Sequence, residues 1–463
     1  MGEEKKEEKS GETVSRRKYL GAVGGLAVAA AIGWGLAGYL ASKPPAAVKT
    51  ITKTETITAT ATPTVTTPAK LTKLKIGVQG PMTGPAAYAG KDFMNAYKLA
   101  LEERGGKIAG IPVELVPIDC ESDPEKAVRA YERAIMVEGI HVGACGWHSS
   151  VHLALMDVWA AHKFPHIAHF GAAKTILEKF RSNPEYYKWT MAKWWPIPEK
   201  LVVGYIEAIF KAIEDGIITP KTKKVSIYVE DTDWGRSAGK AFEEGFKKKG
   251  WEVASFDVAP LDETEHVPML TKIKGLNPDV LAVTWTGAAP VTSLIKQTRE
   301  VGLRSIIIAD GLGWITGWYE MAGKASDYVL DMIPQWTTPK AKAFVEKFKS
   351  KYGYEPSPST GGLAYDNALF AFAVIEEVLK RTGGVWDDHA RELVVDVVRK
   401  ERFAFREGIL MECYTEDPND PPDLIVGEHY YIFPVIQYFD GKGKIVWPPA
   451  WAEAKFTPPP WFK

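Results

Sequence analysis

Tryptophan side chains follow apolar stretches at four places in the sequence. Trp147, Trp234, Trp285 and Trp314 each come shortly after a run that is predicted to form a buried strand. Parallel strands end at one edge of their sheet, and α/β proteins bind ligands at that edge. An aromatic face there can pack against a flat or apolar solute. Packing within the protein core is the alternative interpretation of each of these four residues.

Histidines are concentrated in one part of the chain, which raises the question of a metal site. Six of the nine histidines lie between residues 141 and 169, and His148/His152 and His162/His166 have helical i, i+4 spacing. A metal site needs convergent ligands, usually with a carboxylate or a thiolate among them. The first pair flanks a loop, whereas the second ends a helix before Pro165. We therefore predict no metal site and no cofactor.

One serine lies in a segment that partly matches a hydrolase motif. Residues 146–150 place Ser149 where the motif Gly-x-Ser-x-Gly has its serine, but Ser150 replaces the final glycine. No partner acid and base are indicated. This segment therefore does not indicate a serine hydrolase.

Alternating strand and helix patterns position these residues. Residues 74–79 alternate apolar and other side chains as a strand does, Gly80 to Pro85 break the pattern, and residues 92–104 have helical spacing. The chain repeats this unit, and further strands are predicted at residues 113–118, 141–144, 166–170, 225–229, 280–284, 305–309, 328–332, 408–412 and 430–439. The alternation predicts an α/β protein with mainly parallel sheets flanked by helices.

Composition limits the class of partner. The chain has 463 residues, 46% hydrophobic content and a formal net charge of −1, so neither nucleic acid nor a strongly charged partner is indicated. Gln and Asn are scarce while Lys and Glu are plentiful, a bias seen in hyperthermophile proteins, and a hot-environment source is our working hypothesis.

The amino-terminal region reads as an export signal and a membrane anchor. Residues 15–20 resemble a twin-arginine signal, with Arg16 and Arg17 before a segment, residues 19–40, that carries no charge. Its 22 residues would span about 33 Å as a helix, which is enough to cross a bilayer. No clear cleavage site or lipidated cysteine follows, so we predict an uncleaved anchor with the body outside the cell membrane. Residues 43–72, rich in threonine and proline, read as a stalk, either bare or O-glycosylated.

Residues 74–90, LKIGVQGPMTGPAAYAG, resemble the opening of the branched-chain amino-acid-binding (leucine/isoleucine/valine-binding) family, the solute-binding proteins of ABC transporters. Later segments match in the family's order, and the resemblance covers residues 74 to about 447. It implies a type I periplasmic-binding fold, in which two lobes joined by three hinge crossings close on a small ligand. The break after Trp195-Pro196 is interpreted as the first crossing and residues 328–332 as the second, with a third before the last strands.

The same resemblance implies a set of ligand-binding residues. The family places a hydroxyl-rich loop at a helix amino terminus to hold a carboxylate, and Ser149 matches it. Asp310 stands where the family's acidic residue holds the ligand ammonium, and Trp234 replaces a tyrosine that packs on the ligand. Ala173 stands where the family has a threonine that helps to hold the ligand, unless Thr175 takes that role. Whether the ligand is of the leucine type is therefore left open. The full predicted set is Tyr88, His148, Ser149, Ala172, Ala173, Trp234, Trp285 and Asp310.

The resemblance also implies a disulfide, a domain plan and partners. Family members often bridge the loops that here carry Cys120 and Cys145. The predicted plan is a tail (1–18), an anchor (19–42), a stalk (43–72), lobe 1 (73–194 and 325–407), lobe 2 (195–324 and 408–447) and a carboxyl-terminal tail (448–463). The expected partners are a small ligand such as an amino acid and ABC permease and ATPase subunits. A receptor of the same fold that senses a short amide or aromatic acid without transport is the alternative.

Overall fold

The computed structural model describes residues 69–462, which form two sheets with helices packed around them. The first sheet has six strands in the order β2-β3-β1-β4-β5-β6, and all of its neighbours are parallel except β2 and β3. Its strands are β1 (Leu74–Gly80), β2 (Lys107–Ile108), β3 (Ile111–Asp119), β4 (Val142–Ala144), β5 (His166–Ile167) and β6 (Thr190–Met191).

The second sheet has seven strands in the order β13-β12-β11-β10-β9-β7-β8. The five strands β7 to β11 pair in parallel, whereas β12 and β13 are antiparallel additions at one edge. Its strands are β7 (Lys224–Glu230), β8 (Glu252–Ala259), β9 (Val280–Thr284), β10 (Ile306–Asp310), β11 (Leu330–Met332), β12 (Val435–Phe439) and β13 (Lys442–Trp447). The predicted α/β class with two mainly parallel sheets is confirmed.

Twelve α-helices in the described residues cover the sheets, and polar side chains begin several of them. Asp123 accepts a hydrogen bond from the Lys126 N–H, and Thr232 accepts one from the Gly235 N–H, which satisfies amide groups that a helix start leaves open. The helices are α1 (Ala87–Glu103), α2 (Pro124–Arg133), α3 (Ser149–Ala161), α4 (Lys174–Ser182), α5 (Pro198–Glu214), α6 (Asp233–Lys248), α7 (Val267–Leu276), α8 (Ala288–Glu300), α9 (Trp318–Ala322), α10 (Pro339–Tyr352), α11 (Leu363–Arg381) and α12 (Asp388–Val395).

The chain passes between the two sheets three times. It leaves the first sheet after β6, returns after β11 to place α10 and α11 against α1, and crosses again before β12. We call the first sheet with its helices the first lobe, and the second sheet with its helices the second lobe. Each lobe is therefore built from separate stretches of sequence.

Two predictions about the crossings need correction. Residues 328–332 were interpreted as a return crossing into lobe 1, but β11 pairs with β10 and β12 within the second sheet, so the chain returns only after Met332. Residues 408–412 are not a strand. The backbone N–H groups of Ile409 and Leu410 instead donate to the Asp366 carboxylate, at 2.7 and 3.0 Å. These hydrogen bonds replace the ones that a neighbouring strand would make.

The structure contradicts the predicted disulfide, because Cys120 and Cys145 are buried free thiols. The two residues follow β3 and β4, and β1 lies between these strands. Two strand spacings amount to about 9.6 Å, whereas the Cα atoms of a disulfide are less than about 7 Å apart. Burial raises the pKa of the Cys120 thiol to about 12 and also raises the pKa of Cys145, so both thiols are protonated at neutral pH.

The predicted tail, anchor and most of the stalk lie outside the described residues. Between residues 69 and 462, no helix is both long and apolar enough to cross a membrane. The carboxyl-terminal tail, which lies outside the family resemblance, packs against the second lobe. There the backbone of Thr457 is hydrogen-bonded to the side chain of Gln437 in β12.

Candidate ligand-binding site

A small cavity of about 30 Å³ lies where the carboxyl ends of the parallel strands of both lobes meet. Its walls combine five aromatic side chains with hydroxyl and imidazole groups. The lining residues are Trp147, Phe170, Trp195, Trp234, Trp314, His148, Ser149, Ser150, Ala172, Thr232 and Thr286. No acidic or basic side chain other than the imidazole of His148 is among them.

Trp314 stands at the centre of the aromatic walls. Its ring centroid is 5.5 Å from that of Trp147, 5.6 Å from that of Trp195 and 5.9 Å from that of Trp234. Among residues 69–462, the buried indole N–H groups of Trp195 and Trp314 have no hydrogen-bond partner. Buried donors are costly when they stay unpaired, so these two favour a ligand that brings acceptor atoms.

The first lobe contributes the start of helix α3. Ser149 is the first residue of this helix, and its Oγ accepts hydrogen bonds from the N–H groups of Ala172 and Ala173, at 2.9 and 3.0 Å. The Ser149 hydroxyl hydrogen therefore remains to be donated elsewhere. A helix amino terminus also favours negative charge, so this corner of the cavity suits a carboxylate.

The second lobe contributes a buried carboxyl group that the sequence analysis missed. Glu230, the last residue of β7, accepts hydrogen bonds from the Thr232 hydroxyl at 2.7 Å and from the Thr286 N–H and hydroxyl at 2.6 and 2.8 Å. Both threonines line the cavity, and Glu230 lies directly behind them. Burial raises the pKa of Glu230 to about 7. The sequence feature that could have identified Glu230 is its position as an acidic residue at the end of a buried strand.

Asp310 lies one layer behind the cavity. Its carboxylate accepts hydrogen bonds from the Tyr205 hydroxyl at 2.7 Å and the Thr284 hydroxyl at 3.0 Å, and Thr284 in turn accepts one from the Trp234 indole at 2.9 Å. Burial and the nearby charge of Asp331 raise the pKa of Asp310 to about 7. Asp310 thus supports Trp234 and is not part of the lining.

The structure brings four of the eight predicted residues to the cavity, namely His148, Ser149, Ala172 and Trp234. Tyr88 lies at the lobe interface, where its hydroxyl donates to the Thr286 carbonyl at 3.1 Å. Trp285 is fully buried and its indole N–H donates to the Leu261 carbonyl at 2.9 Å. Ala173 is buried beside Ser149, and Asp310 supports the lining as described above.

The two lobes are in contact around the cavity. The Lys174 N–H of the first lobe donates to the Ser237 hydroxyl of the second at 3.0 Å, and the Ala288 N–H of the second donates to the Pro85 carbonyl of the first at 3.2 Å. A volume of 30 Å³ admits about two water molecules. A solute of amino-acid size therefore enters only when the lobes or the tryptophan side chains move apart.

Four histidines of the first lobe are buried close to this site. The ring centroids of His152 and His169 are 4.3 Å apart, and those of His166 and His169 are 5.6 Å apart. Burial lowers the pKa of His148 to about 4 and that of His166 to about 3, so both are neutral at pH 7. In the described part of the chain, no group of three or more histidine, cysteine or acidic side chains could hold a metal ion.

Replacement of His166 by glutamine is expected to reduce the sensitivity of the protein to acid. The folded pKa of His166 lies below its unfolded value of about 6.5, so the stability conferred by the neutral ring is complete above pH 6.5 and is lost as the pH falls towards 3. At pH 5 the loss amounts to about 2 kcal/mol. Urea unfolding at pH 7 and pH 5 should show the gap in unfolding free energy between wild type and variant shrinking by about that amount.

Glu230 and Asp310 titrate in the same pH range with the opposite sign, because their folded pKa values are raised. Both groups are present in wild type and variant, so the difference between the two proteins isolates His166. An equal difference at both pH values would show that His166 does not titrate as the structure indicates.

The chain is similar to known proteins over most of its length. The family model described as "Periplasmic binding protein" matches residues 73–403. The Leu/Ile/Val-binding protein homolog 8 of Brucella abortus (strain 2308) is 24% identical over 309 residues, which cover 62% of this chain and 72% of that protein.

Two solved structures show the same fold. A putative branched-chain amino acid ABC transporter protein from Silicibacter pomeroyi has a TM-score of 0.69 at 21% identity, with 84% of this chain and all of that chain covered. An ABC transporter solute-binding protein from R. palustris, in complex with benzoate, has a TM-score of 0.65 at 19% identity, with 81% and 95% covered. The matched sequence and the two-lobed fold agree, and the chain belongs to the periplasmic binding protein family.

Proposed function

We propose that the protein is an extracytoplasmic solute-binding protein that captures a small carboxylate-bearing solute between its lobes and delivers it to an ABC importer. The observation that carries this proposal is the cavity at the meeting point of the two lobes, which is walled by aromatic rings and bordered by the start of α3. Each lobe contributes only part of the lining. Closure therefore adds affinity by bringing both parts onto one ligand.

The composition of the lining favours an aromatic or other flat, apolar acid as the ligand. Five aromatic side chains can pack on a ring, the buried indole N–H groups of Trp195 and Trp314 can donate to its acceptors, and the Ser149 corner suits its carboxylate. The similar protein from R. palustris was solved with benzoate. A lining without an acidic side chain offers no direct partner for an ammonium group.

An amino acid, branched-chain in type, is the second candidate. The Brucella relative is named as a Leu/Ile/Val-binding protein, and Glu230 lies just behind Thr232 and Thr286. A modest rotation of these threonines would let the Glu230 carboxylate face an ammonium group. In this case Asp310 would add negative charge from the next layer.

A titration panel of benzoate, 4-hydroxybenzoate, leucine and isoleucine, followed by calorimetry, tests the proposal and separates the two candidates. We expect the aromatic acids to bind and the amino acids to bind at least tenfold more weakly. The reverse order would move the assignment to the amino-acid candidate. Failure of all four compounds would contradict the proposed ligand class.

The variant Asp310→Asn gives a second, independent test of the ligand class. It keeps the shape of the side chain and removes its charge. With an amino-acid ligand, affinity should fall by about tenfold or less, since Asp310 acts on the ammonium group from behind the lining and not through a direct hydrogen bond. With an aromatic acid, affinity should be unchanged or higher, because a buried negative charge near a carboxylate has been removed. Tryptophan fluorescence titration of both proteins measures the difference.

Transport and sensing are distinguished in cells. If the protein supplies an importer, deletion of its gene should abolish uptake of the radiolabelled ligand, and the wild-type gene should restore it. Uptake that continues unchanged after deletion would favour the alternative of a sensing receptor.

Export by the twin-arginine route is a further expectation, carried by Arg16 and Arg17 and the uncharged segment that follows. Replacing both arginines by lysine should leave precursor in the cytoplasm, because that route requires the arginine pair. Fractionation and immunoblotting give the readout. Surface delivery of the double variant would contradict the motif, and a mature protein that starts after residue 42 would contradict the uncleaved anchor.

A further inference from the structure

A second and larger cavity, of about 730 Å³, lies between the lobes on the other side of the segment that carries Trp314. Trp314 lines the small cavity, whereas its neighbours Gly313, Ile315 and Thr316 line the larger one. We call the larger cavity the side groove. Binding sites commonly have volumes of about 300–1,000 Å³ and lie at domain interfaces, and the side groove meets both conditions.

Two partly exposed tryptophans form walls of the side groove, one from each lobe. Trp318, the first residue of α9, packs on Tyr438 of the second sheet with ring centroids 4.1 Å apart. Trp336 packs on Phe344 of α10 in the first lobe at 5.8 Å, and it lies so close to Gly362 that a Cβ atom there would be 2.7 Å from the indole. Within the described residues, neither indole N–H has a hydrogen-bond partner.

The floor of the side groove is held by a buried carboxylate. Asp92 of α1 accepts hydrogen bonds from the hydroxyls of Thr316, Tyr354 and Thr360, at 2.7, 2.8 and 2.6 Å. Thr316 belongs to the second lobe and the other two belong to the first. The Ser357 hydroxyl adds a 2.6 Å hydrogen bond to the Gly313 carbonyl, so the lobes are hydrogen-bonded to each other below the groove.

The charges around the side groove cancel. Its lining includes two acidic residues, Glu320 and Glu355, and two basic residues, Lys349 and Lys442. The Gln335 amide adds a neutral donor and acceptor. Aromatic faces combined with scattered donors and acceptors, without net charge, suit a neutral ring that has apolar faces and hydroxyl groups at its edge.

We propose that the side groove is a second binding site, in which a neutral saccharide packs against Trp318 and Trp336 and hydrogen-bonds to Gln335. This site is separate from the carboxylate-binding cavity, and its occupation does not depend on which solute that cavity takes.

Occupation of the side groove should also affect the main cavity. Trp318 and Trp336 belong to different lobes, and the groove has its observed width only when the lobes are together. A saccharide that contacts both tryptophans therefore stabilises the closed arrangement, which is the arrangement that holds the ligand of the main cavity. Such coupling is reciprocal, so each ligand should raise the affinity of the other.

Saturation-transfer difference NMR of the full protein with maltose, cellobiose and lactose tests the proposal. Sugars stabilise many proteins without binding to them, so a thermal shift alone would not suffice. We expect transfer to the ring protons of at least one of the three sugars. That transfer should disappear in Trp318→Ala and in Trp336→Ala, and it should persist in Trp451→Ala, which removes an exposed tryptophan outside the groove.

Gln335→Ala provides a variant that leaves the aromatic packing intact, and it should weaken saccharide binding about tenfold. A saturating amount of the bound sugar should lower the Kd of the main-cavity acid about fivefold in wild type and not in Trp318→Ala, which is expected to lose the sugar. Equal transfer in all variants, or none with any sugar, would overturn the site. Binding of phenylalanine in place of all three sugars would overturn the ligand class.

Discussion

Replacement of Asp423 by alanine is expected to lower the free energy of unfolding by about 3–5 kcal/mol. Asp423 forms a 2.8 Å salt bridge with Lys193, and both side chains are fully buried. The Lys193 ammonium also donates to the Trp195 carbonyl, and the Asp423 carboxylate accepts from the Ile197 N–H at 3.0 Å. Without Asp423, a buried ammonium group has lost its counter-charge. Urea unfolding at pH 7 measures the change.

Two control variants separate this effect from ordinary truncation. The pair Lys193→Met/Asp423→Leu removes both charges and should recover most of the loss, since apolar replacements of buried ion pairs are often neutral or stabilising. Glu114→Ala breaks the exposed pair with Lys73 and should cost less than about 1 kcal/mol. If Asp423→Ala cost no more than Glu114→Ala, the buried ion pair would not contribute to stability as expected.

Replacement of Trp234 by alanine is expected to weaken binding of the main-cavity ligand by about 30- to 1,000-fold, because buried aromatic residues at the centre of a site carry about 2–4 kcal/mol. Trp234 lines the cavity from the second lobe, and its orientation is fixed by the 2.9 Å hydrogen bond to Thr284. Calorimetry with the tightest-binding acid of the titration panel measures the loss.

Trp234→Phe keeps an aromatic face but loses the hydrogen bond to Thr284, so it should retain binding to within about tenfold. Trp451→Ala, in an exposed position, should leave the affinity unchanged. Circular dichroism at the titration temperature confirms that each variant is folded. Unaltered binding by Trp234→Ala would show that the ligand lies elsewhere in the protein.

Local pattern was sufficient to predict the frame of the fold. The alternation in residues 74–79 and the following glycine-proline loop correspond to β1 and the turn into α1, and most later strands lie within a few residues of their predicted positions. Periodicity reports which face of an element is buried, so it works for elements with one buried face. It does not report which strands are neighbours. The disulfide prediction failed for that reason, because β1 separates β3 from β4.

The composition of the site depended on contacts that no local pattern contains. Asp310 is the last residue of β10, whereas the sequence placed it just after the strand, and Tyr205, which lies 105 residues earlier in the chain, donates to its carboxylate. Glu230 carries no local feature that marks it as part of a site, because its donor Thr286 lies 56 residues later in the chain and becomes its partner only in the folded second lobe. Trp195 was read as a marker of the crossing and proved to line the cavity.

The pairing of β11 with β12 determines when the second lobe can be completed during synthesis. Met332 pairs with Val435, so more than a hundred residues must be made between one strand and its neighbour. Until then β11 is an unprotected sheet edge, which is the kind of surface that pairs with other chains and aggregates. A chain that stops anywhere between residues 333 and 434 keeps this edge exposed. Full-length synthesis is therefore a condition for a soluble second lobe, and nonsense truncations in this interval should accumulate as aggregates.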